Sequence, residues 1–221
     1  MDCILLAAGI GQRMGEDIPK QFLRLNGKPI IIYSLEVLSK YELINNIYIT
    51  YNEKYKDLYT SMIHDYNFPK CILVQGGETR HDSVFIALQY VNSNRVLLHE
   101  AARPFINSDQ ITQLINEKES AVVPTIPIPF TVSSGQGYMT GELDRSQLNN
   151  IQLPQAFNVN DLRDAHEKAK AENYIATEDG IIMHRAGFKV KFVPGYENNI
   201  KITTPLDLAI AEIIDRGMEL I

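Results

Sequence analysis

Arg13 and Lys20 stand in a segment that otherwise offers bare backbone, with Ala7, Ala8, Gly9, Gly11 and Gly15 around them. Glycine lets the chain take positive φ and come close to a ligand, leaving amides free to donate to phosphate oxygens. The two cations add charge to any anion held there. Neither common phosphate loop fits. A Walker loop needs Gly-Lys-Ser/Thr after four intervening residues, and a dinucleotide fingerprint needs Gly where Met14 stands. A second glycine pair, Gly76 and Gly77, precedes Arg80 and Ser83; farther on come Glu100 with Arg103, then Arg145, then Lys201. Taken singly, each has a plain explanation: a tight turn for the glycine pair, a helix start for Ser83, a surface ion pair worth little for Glu100 and Arg103. The histidines suggest no metal. His99 sits in an apolar run and is expected to pack in a strand, and His64, His81, His166 and His184 lack ligand spacing.

These residues need elements to hold them. Short apolar runs at 3–7, 46–51, 70–74, 95–99 and 120–125 alternate with segments 29–40, 52–65, 79–92 and 108–118 that repeat apolar residues at helical spacing, as Val84, Ala87, Leu88 and Val91 do. Such alternation predicts an α/β fold: a Rossmann-like, mostly parallel sheet with helices on both faces. The loop carrying Arg13 and Lys20 then follows the first strand, at the carboxyl edge where open sheets bind ligands. Residues 127–150 break the pattern with Pro127, Pro129, Gly135, Gly137 and Gly141 and predict a protruding β-arm. Helices are expected at about 159–172 and 178–186, and strands at 188–193 and 199–203. A last helix should open with Thr204 as N-cap, Pro205 at N1 and Asp207 at N3, and present Leu206, Ala209, Ile210 and Ile213 on one face.

With 221 residues and 45% apolar content, a single domain over 1–221 is expected, the 127–150 arm within it. A net charge of -6 argues against a general nucleic-acid binder, which needs clustered cations. Cys3 and Cys71 each begin an apolar run and read as buried strand positions. The first residues lack a basic region, and their apolar stretch is too short for a secretory or membrane segment. A soluble cytoplasmic protein without a membrane partner is the expectation.

Several segments occur together in one order: Ala7-Ala8-Gly9-x-Gly11-x-Arg13-Met14-Gly15, Pro19-Lys20-Gln21, Gly76-Gly77-Glu78-Thr79-Arg80-x-Asp82-Ser83, His99-Glu100-Ala101-Ala102-Arg103-Pro104, Asp144-Arg145, Pro154-Gln155-x-Phe157, Thr177-Glu178-Asp179, and Asn199 to Pro205. Together they resemble the sugar and polyol phosphate nucleotidyltransferases, and Pro19-Lys20-Gln21 resembles the cytidylyltransferase branch that acts on methylerythritol phosphate or ribitol 5-phosphate. The resemblance implies transfer from CTP to a polyol phosphate with loss of pyrophosphate. An anionic oxygen attacking an anionic phosphorus needs charge neutralisation and positioning more than a general base. By resemblance, Arg13, Lys20, Arg145 and Lys201 supply cations, the last two for the acceptor phosphate. Ala7, Ala8, Gly9, Gly11, Gly76, Gly77, Arg80 and Ser83 form the nucleotide pocket. Glu100, Arg103 and Thr131 serve the acceptor, with Glu100 on its hydroxyls. Mg²⁺ is implied, held mostly by phosphates and water, with no protein ligand assigned. A homodimer through the arm is implied as well, letting Arg145 reach the partner's site.

The nucleotide side matches this pattern from Ala7 to Gln21; the acceptor side departs from it. Glu100 stands where Asp is usual, Leu153 precedes Pro154-Gln155 where Thr is usual, and Pro129-Phe130-Thr131 replaces an Arg-Asp-Thr element. Methylerythritol phosphate is the marginally preferred acceptor. Ribitol 5-phosphate or another surface-polymer polyol phosphate is the alternative, ahead of a sugar 1-phosphate nucleotidyltransferase or a non-catalytic CTP-binding module.

Overall fold

The computed structural model describes residues 1–9, 11 and 18–217. Its elements, in chain order, are β1 (Asp2–Leu6), the two-residue β2 (Arg24–Leu25) and β3 (Lys28–Pro29), α1 (Ile30–Lys40), β4 (Ile47–Tyr51), α2 (Lys56–Asp65), β5 (Cys71–Gln75), α3 (Arg80–Leu88), β6 (Arg95–Glu100) and α4 (Ser108–Asn116). There follow β7 (Ala121–Pro127), β8 (Val132–Gln136), β9 (Tyr138–Leu143), β10 (Asn149–Ile151), β11 (Gln155–Asn158), α5 (Val159–Ala171), α6 (Asp179–Arg185), β12 (Val190–Pro194) and α7 (Pro205–Asp215).

Side chains alternate across a strand, and β1 shows the result. Cys3 and Leu5 enter one core with Ile31, Leu35, Tyr59 and Leu114 of α1, α2 and α4, whereas Ile4 joins Val84, Leu88, Leu162 and Met183 of α3, α5 and α6 on the other face. Among the described residues eight strands form the sheet, in the order β10-β7-β11-β6-β1-β4-β5 with β12 against β7. The pairs β1·β4, β1·β6, β4·β5 and β7·β12 are parallel, while β10 and β11 run antiparallel to their neighbours. The mostly parallel sheet with two helical faces is thus as expected.

The arm is present as well. β7 leaves the core at Pro127, β8 and β9 form a separate hairpin, and β10 returns to pair with the same stretch of β7. Phe130, Tyr138 and Met139 on it are 75%, 88% and 78% exposed.

Two expectations need correction. Residues 199–203 do not form a strand. The segment is held to the body through isolated contacts, such as Ile202 N–H donating to the Ala102 carbonyl at 2.8 Å, because no neighbouring strand among the described residues offers a ladder there. The last helix begins as expected, with a reciprocal cap between Thr204 and Asp207 and Pro205 in its first turn. Its buried side is a different one, however. Ala211 is enclosed with Leu25, Ile30 and Ile202, Leu208 packs against them, and Leu206 is 69% exposed. α7 rests on the small β2·β3 ribbon and the 199–203 segment, and that seat sets its rotation.

Candidate active site

Register places the carboxyl ends of three parallel strands abreast: Leu6 of β1 lies between Thr50 of β4 and Glu100 of β6. A cleft of about 250 Å³ opens there, closed by the first turn of α3 on one side and by Lys20 and Lys201 on another.

On one half of the cleft the groups are mainly backbone. Ala7 N–H donates to Thr50 Oγ1 at 3.1 Å, and the Ala7 carbonyl accepts from Tyr59 Oη at 2.6 Å and from Gln21 Nε2. These bonds pin the exit of β1 to the return of the loop. Gly11 has φ +69°, and a Cβ there would lie 2.9 Å from Cβ and Cγ of Lys20, so glycine leaves room for the lysine stem. Opposite, a Cβ on Gly76 would lie 2.6 Å from the Ala8 methyl and 2.9 Å from Ser83 Oγ. Ser83 Oγ accepts from Gly77 N–H at 3.1 Å and donates to the Thr79 carbonyl at 2.9 Å. Thr79 and Asp82 form a reciprocal cap on α3, which leaves a rigid helix N-terminus of the kind that favours anions facing the cleft.

On the other half the groups are charged. Glu100 ends β6, is 7% exposed, and has Lys201 Nζ at 2.7 Å from Oε2 and Arg80 Nε at 3.3 Å from Oε1. Burial by itself would raise its pKa, but Lys201 and then Arg80 prevail and bring it down to about 2. Arg80, assigned by resemblance to the nucleotide pocket, turns its guanidinium to this charged half, continuing to Asp179 Oδ2 at 2.6 Å and Glu178 Oε2 at 3.5 Å. Burial works against its charge, yet Asp179, Glu178 and Glu100 outweigh that and hold the guanidinium protonated. Asp179 is fully buried, and Arg80 and His166 keep its carboxyl below the ordinary range against the cost of burial. Burial raises the Glu178 carboxyl instead. Lys20 Nζ donates to the Ile202 carbonyl at 2.9 Å, across 182 residues of sequence. His99 is buried and bonded through Nε2 to the Arg103 carbonyl at 2.9 Å, and burial lowers its pKa to about 4; it is the packed strand residue expected.

Of the residues singled out from the sequence, Ala7, Ala8, Gly9, Lys20, Gly77, Arg80, Ser83, Glu100 and Lys201 line the cleft together, with Gly76 against Ala8 and Gly11 against Lys20. Arg103 is buried, but its Nη1 goes to the Asn199 carbonyl at 2.7 Å. The direct contacts to Glu100 come from Arg80 and Lys201, while Arg103 fastens the 199–203 segment and adds its charge to those that lower the Glu100 carboxyl. Arg145 and Thr131 are exposed on the arm, away from the cleft lining, with Arg145 Nη1 on the Pro129 carbonyl at 2.9 Å. Arg13 lies outside the described residues. Sequence reading gives no role to Glu178, Asp179, His166, Gln155 or Asn199. All but His166 stand in the motifs quoted above, and that is the available signal.

Among the described residues no three His, Cys, Asp or Glu side chains gather into a metal cage. Glu100, Glu178 and Asp179 are turned onto cations, so these side chains do not fit a protein-held ion.

The family model for 2-C-methyl-D-erythritol 4-phosphate cytidylyltransferase (IspD) matches residues 1–216. The enzyme of that name from Bacillus mycoides (strain KBAB4) is 38% identical over 214 residues, covering 95% of each chain. That of Geobacillus kaustophilus (strain HTA426) is 35% identical over 218 residues, 96% of each. Among solved structures, 4-diphosphocytidyl-2C-methyl-D-erythritol synthase from Anaerococcus prevotii DSM 20548 superposes with a TM-score of 0.86 at 28% identity, over 97% of this chain and 95% of that one. The 2-C-methyl-D-erythritol 4-phosphate cytidylyltransferase of Thermus thermophilus gives 0.80 at 27% identity, over 96% and 98%. Likeness along nearly the whole length, with the cleft residues at the motif positions, establishes that the chain belongs to the 2-C-methyl-D-erythritol 4-phosphate cytidylyltransferase family.

Proposed function

We propose that this protein transfers the cytidylyl group of CTP to the phosphate of 2-C-methyl-D-erythritol 4-phosphate. An acceptor phosphate oxygen attacks the α-phosphorus of CTP, a new P–O bond forms, and the bond to pyrophosphate breaks. The observation that carries this reading is the meeting of Lys20 with the segment bearing Lys201 across one glycine-lined cleft. Base and ribose take the backbone half, where the tight approach of Ala8 and Gly76 suits a pyrimidine. Lys20 stabilises charge on the phosphates in the transition state, and Arg13 is assigned the same task. Lys201 leaves Glu100 for the acceptor phosphate, while the Glu100 carboxylate accepts from acceptor hydroxyls. Arg103 holds the segment carrying Lys201.

The reading extends to a homodimer in which arms pair, so that Arg145 and Thr131 complete the partner's acceptor site; the exposed apolar side chains of the hairpin support it. Mg²⁺ enters as the companion of the CTP phosphates, bringing charge neutralisation of the kind such ions give phosphoryl groups. No helix among the described residues is long and apolar enough to cross a membrane, and a cytoplasmic location goes with the use of CTP.

The test is pyrophosphate release from CTP and Mg²⁺ with a panel of acceptors. Turnover with 2-C-methyl-D-erythritol 4-phosphate well above that with ribitol 5-phosphate is expected. The reverse order would move the protein to the ribitol-type activity, and CTP binding without turnover of any acceptor would make it a binding module.

A further inference from the structure

The cleft accounts for the front of Arg80 but not for what lies behind it. A guanidinium is planar, with its donors in a fixed fork, and each nitrogen of Arg80 meets a different carboxylate: Nη1 Asp179, Nη2 Glu178 and Nε Glu100. The first two come from the start of α6, and of these the Asp179 contact is the shorter. Two rear partners define the plane of the group, and the plane sets where Nε–H points. The rear partners are themselves held. Asp179 Oδ1 sits 2.8 Å from Nε2 of His166 on α5, the His81 ring packs 4.5 Å from that imidazole, and Gln155 Nε2 donates to Glu178 Oε2 at 3.1 Å.

We propose that Asp179, held by His166, is a positioning residue that orients Arg80 and through it the Glu100 carboxylate, and so sets the affinity for the acceptor without touching it. The inference rests on the reading of Glu100 as the group that meets the acceptor hydroxyls. Neither Asp179 nor His166 lines the cleft, and the direct polar link from Asp179 to a cleft residue is its bond to Arg80. The nucleotide half is secured separately, by the bonds of Ser83 to Gly77 and Thr79 and of Ala7 to Thr50. A fault in the relay should therefore reach the acceptor and spare CTP. Asp179, Arg80 and Glu100 are all largely enclosed, and a buried charge that loses its partner shifts or recruits another. With Asp179 neutral, Arg80 would turn toward the remaining carboxylates and Glu100 would lose its fixed hydrogen bond.

The test is steady-state kinetics on the whole protein with CTP and 2-C-methyl-D-erythritol 4-phosphate. Asp179→Asn is expected to raise the acceptor KM by about tenfold, with the CTP KM within about twofold of the parent, in the range of coupled neighbouring residues. In a Glu100→Gln background the same change should add less than about twofold to the loss in acceptor kcat/KM. His166→Gln, whose Nε2 can still donate to Asp179, should keep the parent acceptor KM, whereas His166→Phe, which keeps the ring but not the donor, should raise it. That pair decides the matter even where Asp179→Asn fails to fold, since a packing role would favour Phe over Gln. Equal changes in both KM values, undiminished loss in the Glu100→Gln background, or a parent-like His166→Phe would overturn the relay. If Glu100→Gln alone leaves the acceptor KM unchanged, the acceptor role of Glu100 falls and the relay with it. A raised acceptor KM in Glu100→Gln beside a parent-like Asp179→Asn removes the relay alone.

Discussion

Lys20 shows how one side chain is prepared for its work. Gly11 clears a path for its stem, and a carbonyl of the 199–203 segment holds its ammonium beside Lys201. If it stabilises the transition state more than bound CTP, Lys20→Ala should cost about 2.7–4 kcal/mol in the chemical step while CTP affinity falls much less; single-turnover rates set beside equilibrium CTP titration would measure both. Two buried groups make stability depend on pH with the same sign. His99, lowered by burial to about 4 from an ordinary 6.5, contributes fully above 6.5, and that contribution is lost as the pH falls from there toward 4. Glu100, at about 2 against 4.5, contributes fully above 4.5 and loses it toward 2. Urea unfolding midpoints should therefore fall in two stages on acidification, and His99→Gln should remove the upper one. Lys20 and Glu100 are legible in the sequence because glycines and a strand end mark them, and Lys201 because of the motif it stands in. Asp179 stands in a motif, but its pairing with Arg80 and His166 is not legible, because the partners of a buried network come from distant segments, as the separation of 99 residues between Arg80 and Asp179 illustrates.

At the scale of elements, short apolar runs and helical patterns are sufficient for β1, β4 to β7 and α1 to α5. Strand β11 escapes because Gln155–Asn158 is only four residues long, hemmed in by Pro154 and by Asn158, which caps α5. The alternation of Ile200 and Ile202 with Lys201 and Thr203 imitates a strand where the real requirement is one buried anchor, Ile202, with Ile200 partly buried beside it. For α7 the cap is readable and the rotation is not, since the surface it seats on is assembled from Leu25, Ile30 and Ile202. The cap on α3 bears directly on the cleft. Thr79→Ala, which deletes the side chain bonded to Asp82 N–H at 3.0 Å, should lower stability by about 1 kcal/mol and also weaken CTP binding, because Ser83 leans on the same turn. Thermal melts with and without CTP would separate the two effects, the ligand-induced shift shrinking along with the base stability.

For the whole molecule, the arm is where a single chain is least self-sufficient. Tyr138 and Met139 project from a hairpin that, among the described residues, pairs with no other strand of the body, and exposed apolar residues of that kind mark contact surfaces. On the proposed dimer, replacing both with Asp should shift sedimentation from dimer to monomer and raise the acceptor KM through loss of the proposed Arg145 contribution from the partner, with the melting temperature of the body little changed. The arm also divides the chain in an unusual place. β11, which follows it in sequence, lies in the sheet between β6 and β7, which precede it. Cutting the backbone at Gly137 would thus leave two fragments laced into one sheet, each lacking strands that only the other provides. Neither piece should fold alone, both should reassemble when produced together, and new chain ends opened at that tip ought to be tolerated, which makes the hairpin a natural place to build a split or permuted form of the enzyme.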